Sequence, residues 1–251
     1  MSSIAGTPTL LVFTLGAPAE RARRPLLPRR LAALEVGMRR ACAEAALAAG
    51  RAAGLGTAVC SPAPLGLDAD RELPQRQGPF GARLEAAMAE AFAGGAAPLV
   101  VVGADTPGLA AAHVERALAL LAARPDAVVV GPSPDGGLYL LAAAGPIPDL
   151  AAVRWCRAET LASLLAALRA AGRPVELLPP LADLDGPADL AGWLGRGDND
   201  SGGERLAPWR SLLARTLAAL ARPPRPRRLD LPAFAAVPLF SGRAPPPLLP
   251  F

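Results

Sequence analysis

The sequence predicts an α/β domain in which a mostly parallel sheet is sandwiched between helices. Short β-favouring apolar runs, such as residues 10–14 (LLVFT) and 98–102 (PLVVV), carry no alternation, as strands covered on both faces require. Longer Ala- and Leu-rich segments with helical spacing stand between such runs, and turn clusters such as SPAP and GPSPDGG punctuate them. A chain of 251 residues, 52% hydrophobic, can bury a sizeable core, and its 29 prolines and 25 glycines leave long apolar segments intact, which excludes a collagen-like or wholly disordered chain.

In order, residues 10–14 read as a buried strand, and the stretch ERARRPLLPRR after it as a cationic loop. Residues 31–51 read as a helix, 57–60 as a strand, and LPQRQGPFG as a loop. A helix over 83–92, a strand over 98–102 and a helix over 109–123 follow. Two apolar runs, 127–130 and 138–142, flank GPSPDGG; then come a helix over 159–171 and a last strand over 174–178. Residues 1–195 thus form the expected domain, and 196–251 an extension. It comprises the polar stretch GRGDNDSGGE, a helix over 209–221, and a tail whose nine prolines exclude a helix or central strand. That tail is expected to be an extended arm or a disordered basic appendage.

Composition narrows the chemistry. The net charge of +4 lies wholly in the segment from Arg222 onward, so the body is neutral and no nucleic-acid partner is expected. The chain has no lysine, which excludes Schiff-base chemistry and the P-loop lysine and leaves anions to guanidinium forks. A single histidine, His113, excludes multi-histidine metal sites; it is expected on a solvated helix face. Cys42, Cys60 and Cys156 are too far apart for a zinc knuckle and odd in number, so small core hydrophobes in a reducing cytoplasm are expected. No run is long enough for a membrane span, and the chain reads as soluble and unprocessed.

In open α/β sheets ligands bind beyond the carboxyl ends of strands, which makes acids directly after strand runs the first candidates. Asp105, in PLVVVGADTPGL, is one; it reads as a carboxylate holding a divalent metal on a nucleotide diphosphate, or as part of a plain turn in which Thr106 caps the next helix. Asp135, in PDGGLYLL, reads as a pocket acid or as an ordinary Asp-Gly hairpin turn. In LADLDGPADL, alternation directs Asp183 or Asp185 toward a pocket, while Asp189 enters the following helix turn; the bland reading is helix capping. Trp155 could stack a base or sugar or simply pack in a loop, and the arginines of residues 21–30 suit a pyrophosphate.

Taken together, FTLGAP…RRPLLP, QGPFGARLEAAMAEAF, VVGADTPGL, GPSPDGGLYLL, VRWCRAETL and LADLDGPADL, in this order across residues 10–190, resemble a bacterial GT-A-like family. This is domain-of-unknown-function family 2064, whose members carry labels such as arsenosugar-type or radical-SAM-associated glycosyltransferase. The resemblance implies a nucleotide-diphospho-sugar transferase fold. It matches Asp105 to the family's metal and nucleotide acid, and Asp185 to the second acid of a D-x-D segment. Asp135, Gly136 and Gly137 match a DGG turn on the acceptor side, and Gln77, Gly78 and Arg83 a QG…R stretch. Gly16 stands where the family has a lysine, Arg23-Arg24-Pro25-Leu26 stand for Lys-Thr-Arg-Leu, and Gly186 replaces a threonine. Arg23 and Arg24 remain phosphate-clamp candidates, because arginine can take lysine's role toward an anion.

The implied activity is a metal-assisted glycosyltransferase. Mg²⁺ or Mn²⁺ would be held by Asp105 and Asp185, a nucleotide-diphosphate sugar would be the donor, and Asp135 would orient or deprotonate a small-molecule acceptor. Two rivals stand beside it. One is a nucleotidyltransferase on the same fold, against which FTLGAPAERARR lacks the glycines of a triphosphate loop; the other is an inactive relative serving as a binding protein.

Overall fold

The computed structural model describes residues 6–147, 150–195 and 205–221. Strand β1 (Thr7–Phe13) lies centrally, with Leu10, Leu11 and Val12 fully buried, as its lack of alternation requires. It pairs in parallel with β2 (Gly56–Ser61) on one side and β4 (Ala96–Val102) on the other. Strand β3 (Arg71–Pro74) is one edge; β5 (Val128–Pro132), β6 (Leu138–Ala143) and β7 (Val175–Leu177) complete a seven-stranded sheet of order β3-β2-β1-β4-β6-β5-β7. Among the described strands only β6 runs against its neighbours, because it returns from β5 through a tight turn; helical crossovers deliver β2, β4, β5 and β7, and a non-helical stretch carries the chain from β2 to the parallel edge strand β3.

The helices are α1 (Ala17–Arg23), α2 (Ala32–Ala52), α3 (Phe80–Ala93), α4 (Ala111–Ala123), α5 (Thr160–Ala170), α6 (Pro187–Gly195) and α7 (Ala207–Ala221). Period-two alternation splits each central strand between two cores. Leu11, Val101 and Leu141 pack with Leu84 and Met88 of α3 and Leu164 of α5, while Leu10, Val12 and Val100 pack with Leu47 of α2 and Val114 of α4. Small residues bring α2 onto the sheet: a Cβ on Gly50 would lie 2.9 Å from that of Leu10. A third cluster joins Met38 and Cys42 of α2 to Trp193 of α6 and Leu213 of α7, so α7 packs on the body although it follows the expected boundary at residue 195. Among the described residues no helix is long and apolar enough to cross a membrane.

Five local expectations change. The cationic loop begins as helix α1, and the unforeseen strand β3 takes in the first two residues of the Pro/Gly/Gln-rich loop, Leu73 and Pro74. Helix α4 starts at Ala111, so Thr106 does not cap it; its buried hydroxyl has no hydrogen-bond partner, and its carbonyl accepts the Leu109 N–H instead. His113 is not a merely solvated side chain, since its Nδ1 accepts the Ala110 N–H at 3.1 Å and its ring meets Tyr139 edge-on. Cys42 and Cys60 are buried as expected, whereas Cys156 is exposed. The polar stretch at 196–204 and the proline-rich tail lie outside the described residues.

The turn between β5 and β6 is held by Ser133 N–H to Gly137 carbonyl and Gly136 N–H to Ser133 carbonyl bonds. Gly136 has φ +89°, and a Cβ there would sit 2.0 Å from the Ala158 carbonyl oxygen. Gly136→Ala is expected to destabilise the protein by about 2 kcal/mol or more through strain and backbone clash, read by urea denaturation. Gly145→Ala, with ordinary φ and open space around its Cβ, is the control expected to change little.

Candidate functional site

The segments after β1, β4 and β7 and the turn before β6 open on one cavity of about 740 Å³. Asp105, Asp135, Asp183 and Asp185 all line it, together with Arg23, Arg24 and Gly137.

Each acid is set by its local backbone. Asp135 is exposed at the tip of the hairpin turn beside the equally exposed Pro134, its Oδ1 accepting the Gly137 N–H at 2.9 Å. After β7, Leu181 N–H bonds the Pro132 carbonyl and Leu184 N–H bonds the Asp105 carbonyl, tying this stretch across the sheet edge. Leu184 is buried, so the residues on either side of it face the other way, and both Asp183 and Asp185 reach the cavity rather than one of them. Carboxylate oxygens of Asp135, Asp183 and Asp185 lie within 4.8 Å of one another. Asp105 is not in that trio, although Asp185, its expected partner in metal binding, is. Its carboxylate folds back over Gly103, where a Cβ would come 2.5 Å from Oδ1.

Crowded carboxylates in a partly enclosed site resist ionisation. Burial, then the charges of Asp183, Asp185 and Glu20, push the Asp105 carboxyl up to about 7. Burial, then Asp135 and Asp185, push Asp183 up to about 6, with the Ser133 hydroxyl beside it pulling the other way. The cation among them is Arg24, whose Nη1 pairs with Asp185 Oδ2. Burial works against the Arg24 guanidinium, but the hydrogen bond and charge of Asp185 outweigh it and raise its pKa.

Behind Arg24 lies a buried acid that the sequence did not single out. Glu35 of α2, with no exposed surface, accepts the Leu26 and Leu27 N–H groups at 3.0 Å each and Arg39 Nε at 3.1 Å, and Arg21 Nε is 3.3 Å from it. Its one hint was Arg39 four residues on, an ion-pair spacing on a helix. Glu20 was likewise missed: its Oε1 accepts the Leu15 N–H at 3.1 Å, and the next N–H, that of Gly16, donates to Thr14 Oγ1.

Arg23 is exposed and lines the cavity. Gln77, Gly78, Arg83 and Gly136 are not among the lining residues. Arg83 instead donates to Gln75 Oε1 and places its guanidinium 5.8 Å from the ring centroids of Phe13 and Phe80. Those two rings and Trp155 form an aromatic wall, with Phe80 centred 5.3 Å from Trp155. Trp155 both packs and faces the cavity: its Nε1 donates to the Leu150 carbonyl, and its ring lies where a Cβ on Gly81 would be. Asp189 lies in the first turn of α6, where it was expected, and accepts the Gly186 N–H, so of the acids in this stretch it is the one that caps the helix.

Residues 65–157 match the model of a family described as "Uncharacterized protein conserved in bacteria (DUF2064)". No curated protein matches the chain. Among solved structures, a candidate nucleotide-diphospho-sugar transferase from Desulfovibrio desulfuricans G20 is similar at 22% identity and TM-score 0.66, over 82% of this chain and 97% of that one. Rv0371c from Mycobacterium tuberculosis H37Rv, solved as a complex with manganese, aligns at 19% identity and TM-score 0.45, over 75% of this chain and 97% of that one. A CMP:2-keto-3-deoxy-manno-octonic acid synthetase complexed with CTP aligns at 14% identity and TM-score 0.45, over 84% of this chain and 98% of that one. The chain has an α/β fold, a mixed sheet flanked by helices, and the likeness to the Desulfovibrio structure shows this to be the GT-A-like fold of nucleotide-diphospho-sugar transferase structures.

Proposed function

We propose that the protein is a metal-assisted glycosyltransferase that moves a sugar from a nucleotide-diphosphate donor to a small-molecule acceptor. The observation that carries this reading is the trio of Asp135, Asp183 and Asp185 on the cavity wall, with Asp105 beside it and Arg24 as the paired cation. An all-carboxylate set of hard oxygen donors fits Mg²⁺ or Mn²⁺, and thiolate or imidazole ligands are absent from the trio. Asp183 and Asp185 would hold the ion. When bound, such an ion offsets the negative charge that builds on a diphosphate leaving group. Asp105 would contribute charge to the same site from its place behind them.

The remaining steps belong to the protein's own groups. The guanidiniums of Arg23 and Arg24 would hold the diphosphate, for which paired N–H donors are well shaped. The acceptor hydroxyl oxygen would attack the anomeric carbon as its bond to the diphosphate oxygen breaks. Asp135, the exposed member of the trio, would orient that hydroxyl and take its proton. The first loop favours sugar transfer over nucleotidyl transfer. The Leu15 and Gly16 N–H groups, which could otherwise serve a triphosphate, are already bonded to Glu20 and Thr14, and the Glu20 carboxylate repels an anion there.

Thermal shift with nucleoside diphosphates and triphosphates, each with and without Mn²⁺, tests this directly. A diphosphate with Mn²⁺ at about 100 times its Kd is expected to stabilise by about 2.7 kcal/mol, or roughly 5–10 °C for a chain of this size, and triphosphates are expected to do less. Asp183→Asn should abolish that shift. No response to any nucleotide with metal would overturn the reading, and a response to triphosphate alone would turn it to nucleotidyl transfer.

The raised carboxyls also set a pH dependence. A carboxyl raised in the folded state binds a proton there that the unfolded chain has released, so the metal-free protein should lose stability as pH rises from about 4 through about 7. An ion needs the ionised carboxylates, so Mn²⁺ affinity should strengthen over pH 5.5 to 8, with protons released on binding near pH 6.5. Calorimetry in two buffers of different ionisation enthalpy measures both.

A further inference from the structure

The root of Arg24 is held by backbone bonds, its tip by one ion pair. Glu35, wholly buried on α2, accepts the N–H groups of Leu26 and Leu27, and Arg39, held by that same carboxylate, donates through Nη2 to the Arg24 carbonyl at 2.6 Å. Peptide groups just after the Arg24 Cα are thus tied to a helix that is itself packed on the sheet. The side chain beyond that Cα is 37% exposed, lines the cavity, and has Asp185, itself 30% exposed, as its ion-pair partner. Such a partly exposed pair is held weakly compared with the buried Glu35 network behind it.

Asp185 is also one of the three acids whose oxygens come within 4.8 Å of one another. Arg24 Nη1 therefore sits on Oδ2 of a carboxylate that a divalent ion would need, and two cations on one carboxylate repel each other. An ion that draws on several carboxylates at once outbids a guanidinium held by one. Displaced from Asp185, the Arg24 tip is confined by its fixed root to the same part of the cavity, where a phosphate beside the ion offers the anion it has lost.

We infer that Arg24 is an exchangeable counter-ion of the acid cluster: it holds Asp185 in the metal-free protein, yields it to a divalent cation, and turns to the phosphates of the incoming ligand from a backbone pinned by Glu35. The inference rests on the metal-and-diphosphate reading above and adds an order to it. The metal binds first, and its binding prepares the cation that receives the diphosphate. A fixed Arg24–Asp185 bridge and a simple phosphate clamp each behave differently, because only an exchanging residue opposes the metal while assisting the phosphate.

The test titrates wild type, Arg24→Gln and Arg24→Lys by calorimetry, first with Mn²⁺ alone and then with preformed Mn²⁺–pyrophosphate, after circular dichroism has shown each variant folded. Arg24→Gln is expected to bind Mn²⁺ alone about tenfold more tightly than wild type, because a competing positive charge is gone, and Mn²⁺–pyrophosphate at least about tenfold more weakly. Arg24→Lys, which keeps the charge but loses the fork, should leave Mn²⁺ binding near wild type and recover part of the pyrophosphate affinity. Weaker Mn²⁺ binding in Arg24→Gln would show that the bridge positions Asp185 for the ion, and would overturn the exchange. Unchanged Mn²⁺ binding with weakened pyrophosphate binding would also overturn it, leaving a plain clamp. A wild type that binds no Mn²⁺ would overturn the metal reading itself, and the inference with it.

Discussion

Four carboxylates share one end of the cavity, and Arg24 is the cation paired within them. Burial first, and then the like charges around them, push the Asp105 and Asp183 carboxyls up to about 7 and about 6, so both resist ionisation without a further cation. A fold tolerates such repulsion only when the surrounding structure holds it in place, and strain of this kind collects at functional sites. The rest of the architecture is arranged around that constraint.

Three separate stretches of chain supply the acids, and the sheet brings them together. Asp105 follows β4, Asp183 and Asp185 follow β7, and Asp135 sits in the turn that sends the chain back as β6, antiparallel to its neighbours. Reversal at that one strand places a hairpin turn at the same edge as the carboxyl ends of the parallel strands. Backbone bonds from Leu184 to Asp105 and from Leu181 to Pro132 then lock the stretches together, so the acids are held by main chain rather than by one another. On the opposite side Glu35 does the same for the arginine loop, a buried carboxylate shared by two peptide N–H groups and two guanidiniums.

The central strands were legible because burial on both faces leaves an unmistakable apolar run, and the long helices because α2, α3, α4 and α5 each present small and apolar residues at helical spacing. Strand β3 was not, since in RELP only Leu73 is buried and the rest carries charge or proline like a loop. Helix α1 buries no residue, so nothing apolar marked it against the cationic sequence around it. Asp105, Asp183 and Asp185 follow strands and line the cavity; one of the last two was expected to face it, whereas alternation about the buried Leu184 turns both that way. Gln77, Gly78 and Arg83 came from motif likeness alone, and the packing of Arg83 against Gln75, Phe13 and Phe80 accounts for that residue without a ligand. Glu35 was illegible because a buried acid on a helix looks, in sequence, like any surface glutamate.

The central claim is that Asp183 and Asp185 hold a divalent cation beside a diphosphate. Crystals grown with Mn²⁺ and a nucleoside diphosphate, measured near the manganese absorption edge, locate that ion without reference to activity. The account expects an anomalous peak within about 2.0–2.6 Å of Asp183 and Asp185 oxygens, with diphosphate oxygens completing its shell. A peak elsewhere, or a cavity in which the diphosphate binds with no manganese at these carboxylates, would contradict it.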